Sequence, residues 1–127
     1  MNKKRYLTYI IVFMLLSAAC EKDYYQTAPA VDPNTPVSYS TQVQPIFTED
    51  CATAGCHVTG IQSPDLSAGK SYDQLMQLGY VDTTDAESSL LYKRIISTTK
   101  PMPPTGKLSN TEISLILTWI EQGAPNN

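Results

Sequence analysis

Apolar positions along this chain fall into one continuous run and four periodic segments. The run, about Leu7 to Leu16, is short for a bilayer span, which takes about 20 apolar residues. It follows Lys3, Lys4 and Arg5 and ends in Ser17-Ala18-Ala19, so it predicts an export signal that is removed. From Ser40 onward, Val43, Ile46, Phe47 and Cys51 recur at the spacing of one helix face. Pro45 lacks an amide donor, so it either starts or kinks that helix. Ser71 is placed to cap a short helix through Leu75, Met76 and Leu78 that Gly79 ends. Asp85 is placed to cap another through Leu90, Leu91, Tyr92, Ile95 and Ile96. The last segment is the best specified. Ser109 and Glu112 make a capping box, Leu108 can staple onto Ile113, and Ile113, Ile116, Leu117 and Ile120 repeat with Trp119 before Gly123.

Two loops containing proline or glycine, Gly60 to Gly69 and Thr98 to Gly106, separate these helices, and no alternating strand pattern or internal repeat is present. The expectation is an all-α domain of about four short helices with long loops. Loops of this length in so small a domain need something to hold them, and four short helices bury a thin core. The sequence therefore asks for a staple, either a disulfide or a bound group.

Leu16-Ser17-Ala18-Ala19-Cys20 resembles a bacterial lipobox, with Ser17 where leucine is usual. The resemblance implies that Cys20 is lipidated and becomes the mature N-terminus; the other reading is an ordinary secretory signal with an incidental cysteine. The boundaries expected are a lipoprotein signal peptide at 1–19, a lipidated cysteine and flexible tether with Pro29, Pro33 and Pro36 at 20–38, and one domain at 39–127. The product would be an exported lipoprotein, facing the periplasm or on the outer surface of the outer membrane and held there by its N-terminal lipid. From Cys20 onward six basic residues meet all twelve carboxylates, a net charge of about −6. With no basic patch, nucleic acid is excluded as a partner.

The candidate chemistry lies in Cys51-Ala52-Thr53-Ala54-Gly55-Cys56-His57, which holds both remaining cysteines and the only histidine. Three readings compete. A local disulfide is possible, but so short a loop gains little from closure and ties down neither long loop. Zinc would lack a fourth ligand, since structural sites draw cysteine and histidine pairs from two places. In the third reading the two thiols attach a haem covalently, and the histidine beside the second cysteine ligates the iron. The usual spacing is Cys-x-x-Cys-His; here four small residues intervene. A second axial ligand would come from Met76 or Met102. Met76 sits at a helical core position with Leu75 and Leu78. Met102 sits in Lys100-Pro101-Met102-Pro103-Pro104, whose prolines stiffen the backbone on both sides.

Pro45-Ile46-Phe47, Cys51 to His57, Ser89-Leu90-Leu91-Tyr92, Met102-Pro103-Pro104, Leu108-Ser109, Trp119-Ile120 and Gly123-Ala124-Pro125-Asn126, in this order, resemble the small class I-like cytochrome c domains of exported bacterial proteins, including the planctomycete-type group. The likeness spans about Tyr39 to Asn127. It implies a fold whose first and last helices cross, with one haem c between the Cys-His segment and the methionine loop. It implies that Cys51 and Cys56 carry the thioethers, His57 is the proximal ligand and Met102 the distal one. The function implied is a membrane-anchored, monomeric single-electron carrier rather than an enzyme, serving redox partner proteins. Leu66, Tyr72, Tyr80, Tyr92, Leu117 and Trp119 are candidates to line the pocket. The alternative function is a haem-free surface lipoprotein that binds a protein or glycan, with a Cys51-Cys56 disulfide.

Overall fold

The computed structural model describes residues 31–127. The expected signal peptide, the expected lipidation at Cys20 and most of the expected tether lie outside the described residues. Among the described residues the chain is helical and contains no strand, and no helix is long and apolar enough to cross a membrane.

The first helical run, α1, is continuous through three stretches, Tyr39–Val43, Gln44–Ile46 and Phe47–Cys51. Ser38 caps it by accepting the Thr41 amide. The outer stretches are wide, i→i+5 turns, with the Gln44 amide bonded to the Tyr39 carbonyl and the Ala52 amide to the Phe47 carbonyl at 2.7 Å. Pro45 neither ends nor starts the run. It occupies the first turn of the central α stretch, where a missing donor costs least. The apolar face read from the sequence is the buried one: Val43, Ile46, Phe47 and Cys51 all face the core, joined by Tyr39.

Helix α2 is Ser71–Gln77. Ser71 begins this helix but does not cap it. Its hydroxyl is buried and donates to the Gln44 side chain while sharing a hydrogen bond with Tyr39, so tertiary pairing to α1 has taken the group that local capping would have used. Gly79 closes the helix as expected. Asp85 also differs from expectation. It caps only a 3₁₀ turn, Ala86–Ser88, through the Ser88 amide, and Ser89 then turns extended before α3, Leu90–Ile95, starts afresh. The break is held by the Ser89 hydroxyl, buried and accepting the Asp82 amide at 2.8 Å.

Helix α4, Asn110–Glu121, carries the expected capping box: the Glu112 amide donates to Ser109 Oγ at 3.2 Å, and the Ser109 amide to Glu112 Oε2 at 2.6 Å. Its other end closes through Gly123 at φ +89°, a conformation that spares glycine the Cβ clash; the Gly123 and Ala124 amides return to the Ile120 and Trp119 carbonyls. We expect Ser109→Ala to cost about 1 kcal/mol, read as a fall of about 4–8 °C in the thermal midpoint.

The core gathers on α4. Trp119 is fully buried, its ring 5.0 Å from Tyr39, which in turn meets Tyr72 edge-on at 5.3 Å. The folded unit also reaches further back than the expected boundary at residue 39. Val37 is buried, its amide donates to Gln122 Oε1 at 2.8 Å, and Gln122 Nε2 reaches the Pro33 and Thr35 carbonyls. Residues 33–38 therefore belong to the domain rather than to a free tether.

Candidate functional site

The C-terminal end of α1 delivers Cys51 as its last helical residue, and Ala52 leaves the helix. The four residues between the cysteines then form a closed turn. The Cys56 amide donates to the Thr53 carbonyl at 2.9 Å, and the His57 amide returns to the Cys51 carbonyl at 3.1 Å. Gly55, at φ +83°, makes the reversal that an L side chain rarely adopts. Thr53, Ala54 and Gly55 are exposed at the tip, so the wide spacing is spent on a surface bulge. The bulge brings the His57 backbone back against that of Cys51.

The Gly60–Gly69 loop folds onto His57 from both sides. The Leu66 amide donates to the His57 carbonyl at 2.8 Å, and His57 Nδ1 lies 2.9 Å from the Pro64 carbonyl. A carbonyl only accepts, so Nδ1 carries the proton and Nε2 keeps its lone pair. Asp65 pins the same loop by accepting from Thr59 at 2.7 Å and from the Ser67 amide at 3.1 Å, with Lys70 3.5 Å away. Those hydrogen bonds, chiefly from Thr59 and Ser67, hold its carboxyl down to about 2.

The second long loop is fastened to α3. The Ser97 hydroxyl accepts the Thr99 and Lys100 amides, and the Met102 amide donates to the Arg94 carbonyl at 3.1 Å. Met102 is half-buried and Pro103 buried. Between the two loops lies a cavity of about 220 Å³, which encloses about 950 Å³ of empty space when its open mouth is included. Cys51, Cys56, His57 and Met102 all line it. Its walls are mainly apolar, built by Leu66, Leu75, Leu91 and Ile95 with Pro64 and Pro104.

All four residues read from the sequence as cofactor ligands or attachment points thus converge on one cavity. Of the pocket-lining candidates, Leu66 and Tyr80 are there. Tyr72 and Trp119 belong instead to the aromatic core, and Tyr92 and Leu117 do not line the cavity. Met76 packs against the core, half-buried. Sequence reasoning missed Leu75, Leu91, Ile95, Arg94 and Asp50. The leucines and isoleucine were visible only as helix-face residues, which a cavity wall and a plain core share. Asp50 and Arg94 carried no local signal.

The electrostatics divide the cavity. Burial pushes the Cys51 thiol up to about 12, helped by Asp50 and Cys56, so at neutral pH it is an uncharged thiol. Burial also raises the Asp50 carboxyl, with Glu112 and Glu49 adding repulsion. Cys51 and Cys56 are free. Among the described residues no three His, Cys, Asp or Glu side chains gather as ligands for a bare ion. The donor set at this cavity is an imidazole nitrogen, a thioether and two thiols on an apolar wall. That set fits a covalently attached haem: a free Nε2, a sulfur from the other loop, and two free thiols. Comparison with protein-family models, with curated proteins and with solved structures finds no match for this chain.

Proposed function

We propose that the domain is a monohaem cytochrome c that carries single electrons, exported and anchored by a lipid on Cys20. The observation that carries this reading is the convergence of Cys51, Cys56, His57 and Met102 on one apolar cavity. Cys51 and Cys56 would hold the haem by thioethers, and His57 and Met102 would ligate its iron. Bound there, the haem iron supplies one-electron redox chemistry, and Met/His ligation raises its potential.

The chain's own part is positional. The Pro64 carbonyl fixes the His57 tautomer and aims Nε2, as the outer hydrogen bond of a metal-ligating histidine commonly does. The hydrogen bond from the Met102 amide to the Arg94 carbonyl holds the methionine loop to α3. Leu75, Leu91 and Ile95 give the cavity an apolar wall. With His57 and Met102 both holding the haem, its iron would be closed to substrate, so the domain would act as a carrier for redox partner proteins and not as an enzyme. A net acidic, monomeric domain favours encounter with partners that carry basic docking surfaces.

The test is expression in a host with a cytochrome c maturation system. A Soret band and a mass increase of one haem support the reading. A colourless protein whose mass shows a Cys51-Cys56 disulfide and no adduct would overturn it in favour of a haem-free surface binding module. Met102→Ala is expected to keep the covalent haem, abolish the methionine-to-iron charge-transfer band and lower the reduction potential. An unchanged band would reject Met102 as the distal ligand.

A further inference from the structure

His57 sits on one limb of a loop whose other limb carries the carbonyl that meets its ring. Three hydrogen bonds tie the limbs together. The Leu66 amide donates to the His57 carbonyl at 2.8 Å, His57 Nδ1 donates to the Pro64 carbonyl at 2.9 Å, and the Thr59 hydroxyl donates to Asp65 Oδ2 at 2.7 Å. Asp65 therefore stands between the two residues that hold His57, one by its ring and one by its backbone. Pro64 and Leu66 are buried, while Asp65 keeps a partly exposed carboxylate. Its tie to Thr59 is the only one of the three made between two side chains and the only one with a charged acceptor. Such charge-assisted bonds are roughly twice as strong as neutral ones.

The groups of this tie are all committed. Lys70 Nζ donates to Thr59 Oγ1 at 2.8 Å, which leaves the Thr59 hydroxyl its proton for Asp65, and Lys70 itself lies 3.5 Å from Asp65 Oδ2. The other carboxylate oxygen accepts the Ser67 amide at 3.1 Å. The Ser67 carbonyl in turn accepts the Lys70 and Ser71 amides, which carries the brace into the start of α2. Thr59 and Ser67 together hold the Asp65 carboxyl down to about 2, so the acceptor is ionised at any working pH. Asp65 does not line the cavity. We infer that Asp65 is a positioning residue for His57: by closing the loop through Thr59 it holds the Pro64 carbonyl on the imidazole, which keeps the proton on Nδ1 and the lone pair on Nε2. The effect on a bound haem rests on the haem reading; the hold on the ring does not. An acceptor on the outer nitrogen makes a ligating imidazole more basic. A more basic ligand favours the oxidised state, so a loosened brace raises the reduction potential.

The experiment uses the full chain expressed with a cytochrome c maturation system. It reads the exchange rate of the His57 ring N–H in the reduced, diamagnetic state, and the reduction potential. Thr59→Val deletes the tie without changing charge. Asp65→Asn combined with Lys70→Gln removes one charge of each sign and leaves the net charge where it was. Both should speed ring N–H exchange by about tenfold or more, the scale of a lost bond to a charged group, and raise the potential. Ser109→Ala, which loosens α4 instead, should alter neither, so a general loss of stability is told apart from a loss of position. Where the double variant does not accumulate, Thr59→Val, at an exposed residue, carries the same comparison. Parental exchange in the brace variants would overturn the role of Asp65 and leave the loop to Gln44, whose Nε2 donates to the Leu66 carbonyl at 3.2 Å. Faster exchange at a parental potential would uphold the hold on the ring and overturn its effect on the haem. An unsubstituted protein without a haem adduct overturns the haem reading, and the ring-nitrogen shifts of the haem-free chain then decide on Asp65. A parent protonated at Nδ1 with mixed tautomers in Thr59→Val upholds it; the same tautomer in both overturns it.

Discussion

His57→Ala is expected to yield a protein that no longer holds a low-spin haem. The substitution removes Nε2 and also the Nδ1 proton donated to the Pro64 carbonyl. Disturbing an outer-shell partner of a metal ligand costs about 10–100-fold in metal affinity, and loss of the ligand itself should exceed that. The thiols of Cys51 and Cys56 remain, so a small amount of attached haem is compatible with the assignment, but with a high-spin spectrum. Quantifying the adduct by mass and the spin state by absorbance decides the matter. A low-spin spectrum and parental potential in His57→Ala would sink the assignment, since no other histidine exists in the chain.

Trp119→Ala is expected to have the largest effect on stability. The indole is fully buried, contacts Tyr39 and Tyr72, and donates from Nε1 to the Pro125 carbonyl at 3.0 Å. Truncating a buried tryptophan costs about 3–5 kcal/mol, a large share of the 5–15 kcal/mol typical of a whole domain. At about 4–8 °C per kcal/mol, the midpoint should fall by at least about 12 °C. Trp119→Phe, which keeps a ring against Tyr39, should lose clearly less. Circular dichroism melting of both variants checks this, and equal midpoints would show that Trp119 is not the keystone of the core.

Helix existence was legible wherever period and cap agreed. Ser109, Glu112 and Gly123 made α4 readable end to end, because each acts through a local backbone bond that the sequence spells out. Ser71 and Asp85 show where local reading fails. The Ser71 hydroxyl had two possible partners, a free helix amide nearby in sequence and Gln44 far away, and only the fold decides which is met. Asp85 capped what was available, one 3₁₀ turn, because Ser89 was drawn to Asp82. Val37 was read as tether for a related reason: nothing near it in sequence reveals that Gln122, from the end of α4, will meet its amide.

At the site, the residues with distinctive chemistry were legible and the rest were not. Cysteine, histidine and a methionine between prolines are rare enough in this chain to stand out. Arg94 and Asp50 belong to common residue types on ordinary helices, and only the cavity gives them meaning. The Pro64 carbonyl was beyond sequence reasoning altogether, since every residue has a carbonyl and loop path alone selects which one reaches an imidazole.

The bulge between the cysteines bears on how the proposed haem site would be searched for in genomes. What the fold fixes in space is the meeting of the Cys51 and His57 backbones, which the 3.1 Å bond records. What it leaves free is the path taken between them, here an exposed tip of Thr53, Ala54 and Gly55. A search string that counts two residues between the cysteines passes over this chain. One that requires only the Cys-His pair, lets the intervening tip vary in length, and then asks for a proline-flanked methionine about 45 residues on would retain it.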